Sequence, residues 1–219
     1  MVRHLRWCAV ALLAVVSCSN GGDEEGAPPS TSSSSSTTPA SSTEQPASSI
    51  TDSDLETILI PLEDLPAGWS EDLRQAEDVE VCGHRSIRDE LPTTAIAEAT
   101  FRSGDSSEIL AEGLAVFADG AETAMAAARA RYSCESFDAG SDVGQVSIAP
   151  ASFPDVGDDS FAFRLTAVAD GIEVAYLQVV WSRGPIVASI QQGAVDPDIE
   201  QLGDHVQTLD ARIVDHLEQ

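Results

Sequence analysis

A low-complexity segment from Ser19 to about Ile50 restricts the part of this chain that can fold. Ser, Thr, Pro, Gly and Ala dominate the segment, and Ser32 to Ser36 stand in a row. It contains too few apolar side chains to offset the entropy that a chain loses on ordering. We therefore expect residues 18–50 to be a disordered tether and residues 51–219 to form one domain with one hydrophobic core.

The residues before the tether have the features of an export signal. Basic residues precede an apolar stretch from Trp7 to Val16, which at roughly 10 residues is too short to span a bilayer. The stretch Val15-Val16-Ser17-Cys18 resembles the bacterial lipobox, whose cysteine receives a diacylglyceryl group and becomes the first residue of the mature protein. The sequence therefore predicts a lipoprotein signal peptide over residues 1–17, palmitate-type lipidation of Cys18 and a location on the extracytoplasmic side of the cell membrane. An ordinary secretory signal and an uncut anchor are the alternatives.

The cysteine positions agree with export. Of the four cysteines, Cys8 lies inside the predicted signal peptide and Cys18 is the predicted lipidation site. In an oxidising compartment, the remaining Cys82 and Cys134 predict one disulfide. A metal site is the alternative, because the Cys82-Gly83-His84 stretch places a thiolate and an imidazole close together, although structural zinc sites usually need four ligands.

The charge of the chain is strongly acidic. It has 37 acidic residues against 11 basic ones, all of them arginine, for a formal net charge of −26. Such a surface repels nucleic acid and anionic lipid headgroups. We therefore expect no nucleic-acid partner, and contact with the membrane only through the lipid on Cys18.

The apolar periodicity of the domain predicts an α+β fold with the element order α-β-β-α-β-β-β-α. The helices are expected to begin near Ser53, Asp119 and Asp196, and the last of them has the clearest helical spacing. Alternating or continuous apolar runs predict strands over residues 95–101, 109–117, 161–168, 172–181 and 186–191, with an irregular loop over 135–159. We expect one antiparallel sheet of about five strands with the helices packed on one face.

Two stretches of the domain resemble the extracellular sensor-domain family typified by the mycobacterial PknH kinase. The first is the run from Ile109 to Cys134, in which a strand, an alanine-rich helix and a cysteine follow one another. The second is the hairpin from Val179 to Gly184 with the amphipathic helix that follows it. The resemblance implies an α+β domain with a cleft for an unidentified ligand, and it implies no catalytic residues. Similar domains occur in actinobacterial lipoproteins, which also fits the lipobox and the tether.

One short motif suggests an enzyme instead. Gly104-Asp105-Ser106 is similar to the nucleophile block of one class of lipases and esterases. Such an enzyme needs a histidine base, and a hydrolase would have to combine Ser106 with a distant residue such as His84. A hairpin turn is the simpler interpretation of this motif.

Two further groups of residues are candidate metal ligands. Asp155, Asp158 and Asp159 in the acidic loop could bind calcium weakly. His205 and His216 share roughly one face of the last helix, but at 1.5 Å per residue they lie about 16 Å apart and cannot chelate one ion.

Taken together, these features predict a membrane-anchored cell-envelope lipoprotein whose non-enzymatic, sensor-like domain binds a small ligand or an envelope protein. We expect a monomer without a cofactor. An esterase-like envelope hydrolase and a purely structural surface lipoprotein are the alternatives.

Overall fold

The computed structural model describes residues 50–73, 79–140, 143–169 and 171–219. The predicted signal peptide, the predicted lipidation site Cys18 and the predicted tether up to residue 49 lie outside the described residues.

The described part of the chain forms one antiparallel sheet of eight strands together with four α-helices. The helices are α1 (Asp52–Ile58), α2 (Ile87–Glu90), α3 (Ala121–Arg131) and α4 (Ile199–Leu217), with a single 3-10 turn at Leu62–Asp64. The strands are β1 (Ser70–Glu71), β2 (Thr93–Arg102), β3 (Ile109–Phe117), β4 (Ser136–Asp138), β5 (Gln145–Pro150), β6 (Asp159–Ala169), β7 (Ile172–Arg183) and β8 (Ile186–Ala194). Their order in the sheet is β1-β2-β3-β8-β7-β6-β5-β4. The α+β class, the antiparallel sheet and the meander of β6, β7 and β8 are confirmed.

The predicted number of strands and the predicted element order were wrong. The sheet has eight strands because β1, β4 and β5 also pair with it, and a fourth helix, α2, precedes β2. These elements are short, and β4 and β5 lie in the stretch that the sequence predicts to be irregular. Each of the three additional strands pairs with a neighbour in the sheet: β1 with β2, β4 with β5, and β5 with β6. Pairing of this kind has no signal in local periodicity.

The prediction that the helices pack on one face was also wrong. Helices α1 and α4 cover one face, where they bury a first core that includes Leu55, Trp181 and Ile190. Helix α3 covers the opposite face, where it buries a second core that includes Met125 and Val187. Both faces are covered because the central strands are apolar on both sides, so that every residue of β8 is buried.

The ends of α1 and α4 are determined by local capping. Helix α1 begins at Asp52, one residue before the predicted start near Ser53. The reason is a capping box formed by Thr51 and Asp54: the Asp54 amide donates to Thr51 Oγ1, and the Thr51 amide donates to Asp54 Oδ2. Helix α4 begins at Ile199, where the Asp198 carboxylate accepts from the Glu200 amide at 2.8 Å.

Candidate functional site

A cavity of about 50 Å³ lies on the second-core face of the sheet, beneath α2 and the end of α3. Strands β2, β3, β7 and β8 form its floor, and the two helices form its walls. Most of its lining is apolar, from Ile87, Ile96, Leu114, Ala115, Phe117, Val180, Val187 and Ala188. Seven polar side chains also line it: Ser86, Arg88, Glu98, Arg131, Tyr132, Gln178 and Ser189.

The floor combines a glycine with buried polar side chains. Ser189 in β8 pairs with Val180 on one side and with Gly113 on the other, and Gly113 pairs with Glu98 in β2. Because Gly113 has no side chain, it leaves space at the centre of this row. Gln178 and Ser189 are 1% and 4% exposed, and neither Gln178 Oε1 nor Ser189 Oγ has a hydrogen-bond partner among the described residues.

Arg88 extends from α2 towards this floor. Its Nη2 lies 2.9 Å from Glu98 Oε1, and the two side chains are only 10% and 23% exposed. The contact is an ion pair without hydrogen-bond geometry, so that Nη1 and Nη2 of Arg88 both lack a hydrogen-bond partner in the described part of the chain. The charge of Arg88 is therefore balanced, but its donors are not satisfied.

Arg131 is the last residue of α3 and is 2% exposed. Its Nη2 donates to the Val79 carbonyl at 3.0 Å and its Nη1 to the His84 carbonyl at 3.4 Å. Its Nε has no hydrogen-bond partner, and none of the described carboxylates forms an ion pair with it. Within the described residues, two carbonyl dipoles and the Tyr132 ring, whose centroid lies 5.9 Å from the guanidinium carbon, therefore offset the buried positive charge of Arg131.

A disulfide holds the two walls of the cavity together. Cys82 and Cys134, the pair that the sequence predicts, are bonded with their Cα atoms 5.5 Å apart. Cys82 and Gly83 both have positive φ, at 53° and 80°, in a tight turn closed by hydrogen bonds between Val81 and His84. Positive φ at both central residues is typical of a type I′ turn. The disulfide joins this turn to the residues that follow α3, and the sulfur of Cys82 is not a free thiolate for a metal.

Tyr132 caps α3 and completes the polar wall. Its ring stacks on Phe163 with centroids 4.0 Å apart. Burial raises the pKa of Tyr132, although the nearby Arg131 and Gln178 side chains oppose the shift. The phenol therefore stays neutral in the physiological range and acts as a hydrogen-bonding group rather than as a charge.

The electrostatic balance of the site favours an anionic group. Among the described residues that line the cavity, two guanidinium groups, those of Arg88 and Arg131, and one carboxylate, that of Glu98, leave one formal positive charge. Each buried polar group without a partner costs about 1–3 kcal/mol. In the described residues Ser189 Oγ is not hydrogen-bonded to a base.

The structure places the predicted hydrolase residues in separate environments. Ser106 has a φ of 61° in the turn between β2 and β3, where its amide donates to the Ser103 carbonyl. Asp105 Oδ1 accepts from Ser103 and Ser107 and closes the turn. His84 Nδ1 lies 3.4 Å from Glu90 Oε1, and no hydrogen bond between described residues joins His84 to Ser106. The hairpin-turn interpretation of this motif therefore accounts for its contacts.

Two of the three predicted calcium ligands, Asp158 and Asp159, have other partners. Asp158 Oδ2 accepts from the Gly184 amide at 2.7 Å, and Asp159 pairs with Arg129. Across the described ranges, no three His, Cys, Asp or Glu side chains are grouped so that they could hold a metal ion. His205, one of the two histidines of α4 considered above as metal ligands, is partly buried, and this burial lowers its pKa.

Sequence patterns did not identify the polar residues of the cavity. The available signal was a polar residue within an otherwise apolar strand: Gln178 in β7 and Ser189 in β8. Arg131, in an alanine-rich helix, gave no such signal because an arginine at a helix end is usually exposed and interacts with the helix dipole.

A comparison with solved structures shows which known fold this domain resembles. Its fold is similar to that of the extracellular domain of PknH from Mycobacterium tuberculosis. The superposition has a TM-score of 0.54 and 9% sequence identity, and it covers 78% of this chain and 98% of the PknH domain. No family model and no curated protein sequence matches the chain. Of the helices that the structure describes, none is long and apolar enough to cross a membrane.

Proposed function

We propose that this chain is a lipid-anchored protein on the extracytoplasmic side of the cell membrane, and that its folded domain is a non-enzymatic, sensor-like module. In this proposal the lipid on Cys18 provides the anchor and residues 18–50 provide a disordered tether. The domain, residues 51–219, acts as a monomer and binds a small ligand in the cavity beneath α2 and α3.

The unpartnered polar atoms of the cavity carry this proposal. Four polar atoms of residues that line one small space have no partner among the described residues: Arg88 Nη1, Arg131 Nε, Gln178 Oε1 and Ser189 Oγ. Buried polar groups in folded proteins are nearly always hydrogen-bonded, and exceptions in a cavity indicate an external partner. A ligand that forms hydrogen bonds with these groups offsets the free-energy cost of burying them without partners.

The remaining support comes from the fold and the N-terminal sequence. The fold is similar to that of a domain described as extracellular, and a disulfide agrees with an oxidising compartment. The lipobox-like stretch that ends at Cys18 supports attachment to the membrane.

The proposal is tested by the thermal stability of the full-length protein with the small-molecule fraction of an envelope extract. A ligand that binds only the native state should raise the melting temperature by a few degrees. Ser189→Leu, which fills the cavity with an apolar side chain, should abolish the increase. Ser147→Leu, a matched change at an exposed position of β5, should preserve it.

An equal increase in the wild type and in Ser189→Leu would contradict this assignment of the site. So would no increase with any extract fraction. If Ser189→Leu does not fold, Arg88→Gln provides the same test without adding volume to the cavity.

A further inference from the structure

We infer that the cavity binds a short-chain carboxylate, such as acetate or propionate. Its carboxylate group would lie against Arg88 and Arg131, and its aliphatic end against the apolar wall formed by Ile96, Val180 and Val187. This inference rests on the proposed function, because it specifies the ligand of the same cavity.

The first step concerns charge. Glu98 balances Arg88, whereas the buried Arg131 guanidinium contacts two backbone carbonyls and the Tyr132 ring, and no carboxylate among the described residues pairs with it. A buried charge without a counter-ion is strongly unfavourable. Water can satisfy the open donors but not the charge, so a monoanion matches the site better than water or a neutral ligand.

The second step concerns the direction of the hydrogen bonds. Arg88 contributes its Nη1 group, Arg131 contributes its Nε–H, and the Ser189 hydroxyl can donate as well, whereas Arg88 Nη2 already lies 2.9 Å from Glu98 Oε1. A carboxylate offers about four acceptor positions and no donor. The open donors of the cavity thus match the acceptors of one carboxylate group, whereas the Gln178 oxygen, an acceptor, gains no hydrogen bond from it.

The third step concerns size and polarity. A cavity of about 50 Å³, at roughly 10–15 Å³ for each water-sized group, holds on the order of three to five heavy atoms. The apolar side chains on the floor and walls favour an aliphatic end on the ligand. A phosphate dianion would exceed the single formal positive charge and would press its remaining oxygens against these apolar side chains.

The inference is tested by calorimetric titration of the full-length protein at constant pH and ionic strength. The probes are acetate, propionate, their neutral isosteres acetamide and propionamide, inorganic phosphate and chloride. The carboxylates should bind and the neutral amides should not. Arg88→Gln should weaken carboxylate binding by about tenfold or more, as expected when a hydrogen bond to a charged group is lost. Arg85→Gln, at a neighbouring arginine whose side chain is 74% exposed, should bind as the wild type does.

A Ser189→Ala variant provides a second measurement, because it removes one hydroxyl with little change in volume. It should weaken carboxylate binding and leave the fold intact. Stronger binding of phosphate, chloride or an amide than of either carboxylate would overturn the inference while leaving the proposed function in place. No binding of any probe, with the extract still stabilising the wild type but not Ser189→Leu, would likewise overturn only the inference. If no probe binds and no extract fraction stabilises the wild type, the proposed function is overturned too.

Discussion

At the scale of single residues, Glu112 is a buried carboxyl group on the opposite side of the sheet from the cavity. It lies in β3, is 1% exposed, and accepts a hydrogen bond from the Ile60 amide at 3.0 Å. Its other oxygen has no hydrogen-bond partner among the described residues. Burial raises the pKa of Glu112 to about 8, although the Ile60 amide and the charge of Arg212 oppose the shift. The carboxyl group is therefore protonated in the folded protein at neutral pH.

The stability of the protein should decrease as the pH rises from about 4.5 to about 8. In this window Glu112 has lost its proton in the unfolded chain but keeps it in the folded one. The folded state therefore binds more protons, and the free energy of unfolding falls by a few kcal/mol as the pH rises. Glu112→Gln keeps an acceptor for the Ile60 amide and has no proton to lose, so its unfolding free energy should vary less with pH.

Urea unfolding at several pH values measures this difference. Glu173→Gln is the matched control, because Glu173 is exposed at the start of β7, and it should retain the pH dependence of the wild type. Parallel pH profiles for the wild type and Glu112→Gln would show that Glu112 does not titrate in this window.

At the scale of elements, the turn at Val81–His84 and the end of α3 form a unit that supports the cavity. The Cys82–Cys134 bond joins them, and the Arg131 side chain donates to the carbonyls of Val79 and His84 across the same junction. Helix α2, which carries Arg88, follows the turn directly. The position of both cavity arginines thus depends on one covalent link.

Replacing both Cys82 and Cys134 by alanine should lower the free energy of unfolding by about 2–4 kcal/mol. The reason is the entropy of the unfolded chain, because the bond closes a loop with a sequence separation of 52 residues. Urea unfolding with and without a reductant measures the loss. The reductant should destabilise the wild type to a similar extent and leave the double variant unchanged; a wild type insensitive to full reduction would contradict the prediction.

The elements also show which parts of the fold can be predicted from local sequence. Strands β3 and β7 and helix α4 were predicted nearly to their ends, because long stretches of apolar periodicity leave few alternatives. Strands β4 and β5 were missed, because each exists through pairing with a neighbour rather than through its own composition.

At the scale of the whole molecule, the lipid anchor proposed at Cys18 would hold the domain at the membrane surface. The full-length Cys18→Ser protein should leave the membrane fraction, because it lacks the thiol that receives the diacylglyceryl group. Fractionation followed by immunoblotting measures this. Cys8→Ser, a change inside the predicted signal peptide, should remain in the membrane fraction. Retention of Cys18→Ser in the membrane would instead favour an uncut anchor.

The α+β class, the antiparallel meander and the Cys82–Cys134 pairing could be predicted from the sequence, which also predicts the anchor at Cys18. The periodicity of apolar residues and the number of cysteines available for a disulfide can both be read from the sequence without knowledge of the tertiary structure. The folded structure was needed to show that helices cover both faces of the sheet and that Arg88, Arg131, Gln178 and Ser189 meet at one cavity. These four residues come from α2, α3, β7 and β8. Their convergence depends on strand register and on which face each helix covers, and neither is encoded in any one segment of the chain.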